Sequence, residues 1–465
     1  PRLAMQAFET ALSLDPRRYD AAIELASQYS MARRNSDVQD LLGRYVDQLD
    51  NSPMYLDMAG AVYTEIGLAE KAWPLFNKAC DLQPDIPVFQ ANLATCAVYL
   101  GEIEVAQGAY RRLLASNPQH QHNHYQLARL SRAKDSSHID EMLKVLDDTK
   151  LPPDRNIFLY YAIGKECEDL GNWDEAFAAW QAGAAAKREL VAWNEESDER
   201  LFSVLTRTYS KDWLNNSGSE CFDAGPVFII GEPRSGTTLL DRMLDAHPAV
   251  ASAGELRFFG FAVRQVTGRD EPRQFSPELL QAAATADMTA LGEAYVDLVS
   301  TLRLDSAHIV DKLPSNYLYL PLILAALPNA RVIHLRRQPL DACLASFKQL
   351  FADAYLYSYD LGELARHYQR YLTLMTSWKA QFGERFHEVD YEALVSDPEE
   401  TLRGVLQYIG LSWNEACLDY FRHSSGTTTA SAHQVREAPH QRSVNHWRHF
   451  EQQLLPITAI LDDDD

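Results

Sequence analysis

The residues with the clearest chemical potential lie between Gly231 and Thr238, in the sequence Gly-Glu-Pro-Arg-Ser-Gly-Thr-Thr. The apolar run Val227–Ile230 precedes them and predicts a buried parallel strand. A helical pattern follows, with apolar residues on one face at 239, 240, 243 and 244. In a strand–loop–helix unit of this kind, the backbone N–H groups of the loop and the helix dipole favour an anion at one spot. The stretch therefore predicts binding of a phosphate or sulfate group.

The spacing from Gly231 to Gly236 is that of the phosphate loop of nucleotide triphosphatases, which requires Lys and then Ser or Thr next. Thr237 occupies the Lys position, whereas a cation, Arg234, stands inside the loop. The missing Lys argues against ATP or GTP hydrolysis and against a nucleotide kinase. Arg234 suits a bidentate grip on a phosphate or sulfate. The alternative is a Gly-rich turn without a ligand, which the density of Gly, Arg, Ser and Thr disfavours.

The sequence Pro-Arg-Ser-Gly-Thr-Thr-Leu-Leu at 233–240, with Asp245–Pro248 and Gly254-Glu255, resembles sulfotransferases that use 3′-phosphoadenosine-5′-phosphosulfate (PAPS). Within them it is most similar to the tyrosylprotein sulfotransferases and to bacterial relatives fused to tetratricopeptide repeats. The resemblance covers about residues 226–450. It implies a phosphate-loop-like α/β domain with a parallel sheet, transfer of a sulfuryl group from PAPS to an acceptor hydroxyl, and no metal ion.

The resemblance also implies which residues bind the donor. The loop residues that match the 5′-phosphosulfate site are Arg234, Ser235, Gly236, Thr237 and Thr238. Arg337 matches the 3′-phosphate segment, but the serine expected eight residues later is Ala345, so Ser346 is the candidate beside it. Tyr391 matches a tyrosine that contacts the nucleotide, with a half-buried structural tyrosine as the alternative.

Sulfuryl transfer also needs a base for the acceptor proton and a cation for the leaving group. Glu255, at a turn after a predicted strand, is the candidate base, and Lys312 matches the catalytic lysine of the family. Ser431 matches a serine near the transferring group, whereas His446 stands where tyrosylprotein relatives have a second nucleotide-contacting lysine. His247 could act as a base, but a structural role at a helix end is the preferred interpretation.

Structural alternatives remain open for two of these groups. Glu255 could form a surface ion pair with Arg257 while Lys312 merely ends a strand. Arg336 and Arg337 could be a solvated pair at the end of another strand.

The elements that must position these residues alternate between strand and helix. Apolar runs predict strands near 250, at 308–312 and at 331–335, and an alternation of apolar and polar residues predicts another at 386–390. Helices are predicted over about 276–302 and 317–327 between them. This order predicts a parallel sheet covered by helices on both faces. The candidate segments near 234, 255, 312 and 337 each follow a strand, so they should meet at the carboxyl edge of the sheet.

Residues 1–190 contain a repeat of 34 residues, which separates Gly67 from Gly101 and Pro84 from Pro118. A related copy occurs near residue 170. The period and the small residues resemble tetratricopeptide repeats, which stack as helix pairs into an α-solenoid. The concave face would bind a protein or peptide in one interpretation, and serve as a scaffold or dimerisation arm in the other.

We therefore predict three segments: a tetratricopeptide solenoid at 1–190, a polar connection at 191–220 and the sulfotransferase domain at 221–465. Trp173 and Trp180 are expected in the core because of their helical spacing. The acceptor is expected to be a hydroxyl, such as that of a protein tyrosine, with a small molecule or glycan as the rival. A non-catalytic interaction protein with a vestigial nucleotide domain is the alternative from another class.

Composition limits the partners and the compartment. The 465 residues carry a formal net charge of −22, which argues against nucleic acids and anionic membranes as partners. The six cysteines form no CxxC pair, so neither a zinc site nor a disulfide framework is expected. No apolar run of membrane-spanning length and no signal peptide is visible, so a cytoplasmic protein is expected. The chain begins within a helical pattern, so further N-terminal residues are also expected.

Overall fold

The computed structural model describes residues 2–32, 34–49, 52–222, 225–269, 271, 274–304, 306–422 and 437–461. The chain divides into two compact units, the first ending at Asp148 and the second beginning at Thr149. The solenoid was expected to extend to residue 190 and the sulfotransferase domain to begin at 221, whereas this division falls after Asp148. The reason is visible in ion pairs within the second unit, such as Arg188 Nε to Glu363 Oε2 at 2.8 Å, which bind residues of the last expected repeat to the C-terminal region.

Among the residues that the structure describes, the first unit contains helices joined by turns and no strands. Its helices are α1 (Arg2–Leu14), α2 (Tyr19–Met31), α3 (Asn35–Tyr45), α4 (Pro53–Glu65), α5 (Ala69–Leu82), α6 (Pro87–Leu100), α7 (Ile103–Ser116), α8 (Gln121–Leu130) and α9 (Ser137–Thr149).

The 34-residue period has a structural counterpart in these helices. The pair α4 and α5 begins at Pro53 and Ala69, and the pair α6 and α7 begins 34 residues later, at Pro87 and Ile103. The glycine after the first helix of each pair, at 67 and 101, has φ near +80°, a left-handed conformation that favours glycine. The repeated glycine therefore sets the turn of a repeated helix pair.

The second unit is built on a five-stranded sheet in the order β2-β3-β1-β4-β5, and each strand pair is parallel. The strands are β1 (Val227–Gly231), β2 (Val250–Ser252), β3 (His308–Lys312), β4 (Arg331–Arg336) and β5 (Phe386–Asp390). All five residues of β1 are buried, as expected for the central strand of a covered parallel sheet.

The helices of the second unit lie before and after β3 in the sequence. Before β3 they are α10 (Ile157–Leu170), α11 (Trp173–Leu190), α12 (Glu195–Thr208), α13 (Lys211–Asn216), α14 (Thr237–Asp245), α15 (Phe258–Thr267), α16 (Pro277–Ala283) and α17 (Met288–Ser300). After β3 they are α18 (Leu320–Ala326), α19 (Pro339–Phe347), α20 (Leu361–Phe382), α21 (Tyr391–Ser396), α22 (Pro398–Ile409) and α23 (Glu451–Leu461).

Two helix predictions were wrong in detail. The single helix expected over 276–302 is two helices, because the Asp287 side chain caps the start of α17 by accepting from the N–H groups of Thr289 and Ala290. The helix expected over 317–327 starts as a 3₁₀ segment, Pro314–Tyr319, and becomes α-helical only in α18.

Trp180 is in the core, as predicted, whereas Trp173 is half-buried and stacks on His449 with ring centroids 4.1 Å apart. Within the described part of the chain, the helices are too short or too polar for any of them to span a bilayer.

Candidate active site

The candidate residues meet at the carboxyl edge of the sheet, where the strand order reverses. From β1 the chain passes to β2 and returns to β3 on one side of β1, and then crosses to β4 on the other side. In open parallel sheets, ligands bind in the crevice outside the strand ends at such a switch point. The segments after β1, β2, β3 and β4 all open onto this edge, as the sequence predicted.

The loop after β1 has the backbone of an anion cradle. Arg234 has φ of +66° and Gly236 has φ of +101°, so both lie in the left-handed region just before α14 begins at Thr237. A Cβ atom on Gly236 would collide with the ring of Tyr391. Glycine is therefore required here both for its backbone conformation and for the close approach of a neighbouring ring.

The loop is deeply buried and still holds unpaired polar atoms. Ser235, Thr237 and Thr238 are buried at the start of α14. Among the described residues, Ser235 Oγ has no hydrogen-bond partner, although Ser235 is only 1% exposed. Buried polar atoms are nearly always hydrogen-bonded, so this hydroxyl fits a site built for an anionic ligand.

Arg337 is fixed beside this loop. Its two terminal nitrogens donate to the carbonyl oxygens of Arg234 at 2.8 Å and Ser443 at 2.7 Å, and its guanidinium lies 4.7 Å from the ring centroid of Tyr391. Its Nε is buried without a partner among the described residues. The neighbouring Arg336 instead donates to Asp390 at 2.7 Å. Arg336 and Arg337 thus contact different groups, which argues against the alternative that both are solvated at the strand end.

Ser346 and Tyr391 both lie against the loop. Ser346 is buried, and its hydroxyl is 3.3 Å from the carbonyl oxygen of Pro233. The Tyr391 ring packs between Gly236 and Arg337. These contacts support the shape of the loop.

Glu255 and Lys312 form an ion pair. Strands β2 and β3 are adjacent, with Val250 opposite His308, so the segments at their ends are neighbours. Lys312 Nζ lies 2.5 Å from Glu255 Oε1. The lysine side chain is 0% exposed, whereas the glutamate side chain is 41% exposed. The buried ammonium of Lys312 thus contacts one oxygen of the Glu255 carboxylate, and the glutamate side chain remains partly exposed to solvent.

Two buried carboxyl groups, those of Asp241 and Asp311, lie near Lys312. Burial raises the pKa of Asp241 to about 6, although the nearby Lys312 opposes the shift, and the Asp241 carboxylate accepts from Ser252 at 2.7 Å. Burial also raises the pKa of Asp311 to about 8, and Tyr295 donates to this carboxyl at 3.0 Å. Burial thus disfavours the charged form of both carboxyl groups.

Sequence reasoning missed a charged network beneath the loop. Glu232, a loop residue, accepts from Tyr357 at 2.9 Å and lies 3.4 Å from His367 Nε2. The opposite nitrogen of His367 is 3.0 Å from Asp198, which also pairs with Arg370 at 2.8 Å. Burial disfavours the imidazolium, but the carboxylates of Asp198 and Glu232 outweigh it and raise the pKa of His367 to about 9. A protonated histidine therefore links the loop to α12 and α20.

One feature of the sequence could have indicated this network. His367 lies on the buried face of α20, among Leu364, Tyr368 and Tyr371. Such a position demands a polar partner in the core.

Three further candidates from the sequence are His446, His247 and Ser431. His446 lies 2.7 Å from Glu168 Oε1, which also pairs with Lys348 at 2.5 Å. Burial opposes ionisation of Glu168, but Lys348 and His446 hold its pKa at about 2. His247 is buried and lies 3.1 Å from the Ser412 carbonyl oxygen, which agrees with the structural role expected for it. Ser431 lies outside the described residues.

Parts of the chain are similar to known proteins. Residues 226–415 match the model described as the sulfotransferase family. A protein-tyrosine sulfotransferase of Drosophila melanogaster is 26% identical over 200 residues, which cover 42% of this chain and 40% of that protein. An uncharacterized protein of Aquifex aeolicus (strain VF5) is 28% identical over 433 residues, which cover 90% of this chain and 56% of that protein. The chain spans about half the length of the curated relatives that it matches.

Among solved structures, the sulfotransferase domain of the Synechococcus PCC 7002 olefin synthase is 22% identical. It covers 50% of this chain and 90% of its own, with a TM-score of 0.35.

Proposed function

Since residues 226–415 match the model of the sulfotransferase family, we propose that this protein transfers a sulfuryl group from PAPS to an acceptor hydroxyl. The observation that carries the proposal is the convergence of an anion cradle, a fixed arginine and a carboxylate–ammonium pair at one edge of the sheet. Each of these features follows a different strand. An anionic donor, a general base and a cation for the leaving group are what this chemistry requires.

The donor would be held by two sets of residues. The 5′-phosphosulfate would be bound by the backbone N–H groups of the loop. The loop residues assigned to it are Arg234, Ser235, Gly236, Thr237 and Thr238. Arg337 would bind the 3′-phosphate, and Ser346 and Tyr391 would contact the nucleotide beside it. The unpaired Ser235 Oγ and Arg337 Nε support this assignment, because an anion would satisfy both. PAPS supplies an activated sulfuryl group. The proposed reaction uses no metal ion.

In the proposed step, the acceptor oxygen attacks sulfur as the bond from sulfur to the phosphate oxygen breaks. The acceptor proton passes to the open oxygen of Glu255, and the phosphate leaves with the bonding electrons. The 41% exposure of the Glu255 side chain supports access by an acceptor, while its ion pair with Lys312 fixes the carboxylate in position.

Lys312 has two consecutive tasks in this proposal. Before transfer, its ammonium holds the Glu255 carboxylate in position to accept a proton. Once Glu255 takes the proton, the ammonium loses its partner charge, and it offsets the charge that develops on the leaving phosphate. Proton removal and leaving-group stabilisation are thereby coupled through one side chain. Ser431 is retained as a third candidate near the transferring group.

We propose a polypeptide tyrosine as the acceptor. The matched relatives named protein-tyrosine sulfotransferases support this choice. We also propose that the helix pairs of the first unit are tetratricopeptide repeats that capture the polypeptide. Their support is the 34-residue offset between α4–α5 and α6–α7. A small-molecule or glycan hydroxyl is the rival acceptor, and a non-catalytic interaction protein is the rival function.

One experiment separates these possibilities. The full chain is incubated with PAPS carrying labelled sulfur and a cell lysate, and the labelled product is identified. Label on tyrosine of a polypeptide is expected. Label on a small molecule or glycan would select the rival acceptor, and no transfer above that of an Arg234→Ala control would favour the non-catalytic alternative.

A further inference from the structure

A second cluster of ligating side chains lies in the first unit, in the hairpin formed by α8 and α9. His124 Nδ1 lies 2.8 Å from His138 Nε2. One ligand atom each from His124, His138 and Glu141 falls within 4.8 Å of the others. Two imidazole nitrogens and one carboxylate oxygen form a donor set that suits Zn²⁺ and similar divalent transition metals.

The histidine on α8 is oriented as a metal-ligating histidine is. His124 is only 2% exposed, and its Nε2 lies 2.8 Å from the carbonyl oxygen of Pro118, to which it donates. This hydrogen bond places the ring proton on Nε2 and leaves the lone pair of Nδ1 directed at His138. Metal-ligating histidines commonly donate their other N–H to a backbone carbonyl or a carboxylate in this way, which fixes the tautomer and the ring orientation.

The other two donors share one face of α9. His138 and Glu141 are three residues apart near the start of this helix, so their side chains are neighbours. His138 is half-buried and Glu141 is exposed, so both have room to adjust. The two imidazole nitrogens need to separate from 2.8 Å to about 3.3 Å if Zn²⁺ is to sit roughly 2.0–2.1 Å from each in tetrahedral geometry. A small rotation of the His138 side chain would supply that change.

We propose that His124, His138 and Glu141 bind one divalent transition-metal ion, with Zn²⁺ preferred, and that water completes the coordination. The ion joins α8 to α9 across the connection between them, residues 131–136, and thereby stabilises the end of the first unit. As the metal binds, the Nε2 proton of His138 moves to Nδ1 or is released to solvent, because the ligating nitrogen must present its lone pair.

The test uses the full chain without a histidine tag, freed of metal by a chelator and dialysed. Co²⁺ is titrated first, because its visible absorption reports coordination number, and Zn²⁺ is then added in competition. We expect one equivalent of Co²⁺ with the intense absorption of a four-coordinate site, displacement by Zn²⁺, and a rise in the melting temperature with metal. His138→Ala and Glu141→Gln are each expected to weaken binding by roughly tenfold or more.

His122→Ala is the matched control. His122 belongs to the same histidine-rich stretch, but its Nε2 contacts Gln126 at 3.1 Å and it is not one of the three proposed ligands. The control is expected to bind Co²⁺ with the affinity of the wild type. The proposal is overturned if the wild type gives no saturable Co²⁺ spectrum. It is also overturned if His138→Ala and Glu141→Gln bind as the wild type does, or if His122→Ala loses as much affinity as they do.

Discussion

Lys312 Nζ lies 2.5 Å from Glu255 Oε1, so the proposed base and the proposed leaving-group cation are partners in one ion pair. The ammonium is buried, and the carboxylate has one face open. This relationship makes the two residues a unit whose contributions to catalysis should not be independent.

The first prediction follows from this coupling. Glu255→Gln and Lys312→Met should each lower kcat strongly, and the double variant should lose about as much as the worse single variant, because residues that act as a unit are non-additive. Single-turnover transfer from labelled PAPS measures this, with circular dichroism to check folding of the Lys312 variant. Independent roles would instead make the logarithms of the two losses add.

A second prediction concerns donor binding. Arg337→Ala should weaken binding of adenosine 3′,5′-bisphosphate roughly tenfold to hundredfold, because a charge-assisted hydrogen bond contributes about 1.5–3 kcal/mol. Arg336→Ala is the matched control. Its side chain is half-exposed and pairs with Asp390, so binding should stay within about threefold of the wild type. Calorimetry measures both, and equal losses in the two variants would contradict the assignment.

A third prediction distinguishes two roles of Tyr391. Its ring packs against Gly236 and beneath Arg337, so Tyr391→Phe should retain nucleotide affinity if the ring supports the loop. Tyr391→Leu should lose affinity, because the cation–π contact is removed. If Tyr391→Phe binds as weakly as Tyr391→Leu, the hydroxyl itself contacts the nucleotide.

A fourth prediction concerns pH. The pKa of His367 is raised to about 9 in the folded protein by Asp198 and Glu232 in spite of burial, whereas an unfolded histidine has its ordinary value near 6.5. The stability gained from the imidazolium is therefore fully present below about pH 6.5 and is lost as the pH rises towards 9. His367→Gln should lower the melting temperature of the second unit most at pH 6, and the difference should shrink by pH 9. A difference that does not change over this range would show that His367 is neutral.

The sequence was sufficient where a local pattern decides the structure. The strands predicted at 308–312 and 386–390 match β3 and β5. The first was predicted from a short apolar stretch and the second from the alternation of apolar and polar residues, both of which are local patterns. The break at 284–287 was also readable in principle, since Asp287 is a helix-capping residue type.

The sequence did not predict which distant side chains contact one another in the folded protein. Glu255 and Lys312 are 57 residues apart, and they meet because β2 pairs with β3, which no local pattern specifies. The approach of His367 to Glu232 likewise depends on how α20 packs beneath the loop. The sequence predicted the edge of the sheet where the candidate residues lie, but not the side chains that pair with them.

The most direct test of the central claim is the turnover of Glu255→Gln with labelled PAPS and the acceptor identified in the lysate screen, measured across a range of pH. The account predicts a fall in kcat of roughly 10²–10⁴, with affinity for adenosine 3′,5′-bisphosphate nearly unchanged, because only the proton acceptor is removed. Turnover close to that of the wild type at every pH would contradict the claim that Glu255 is the base.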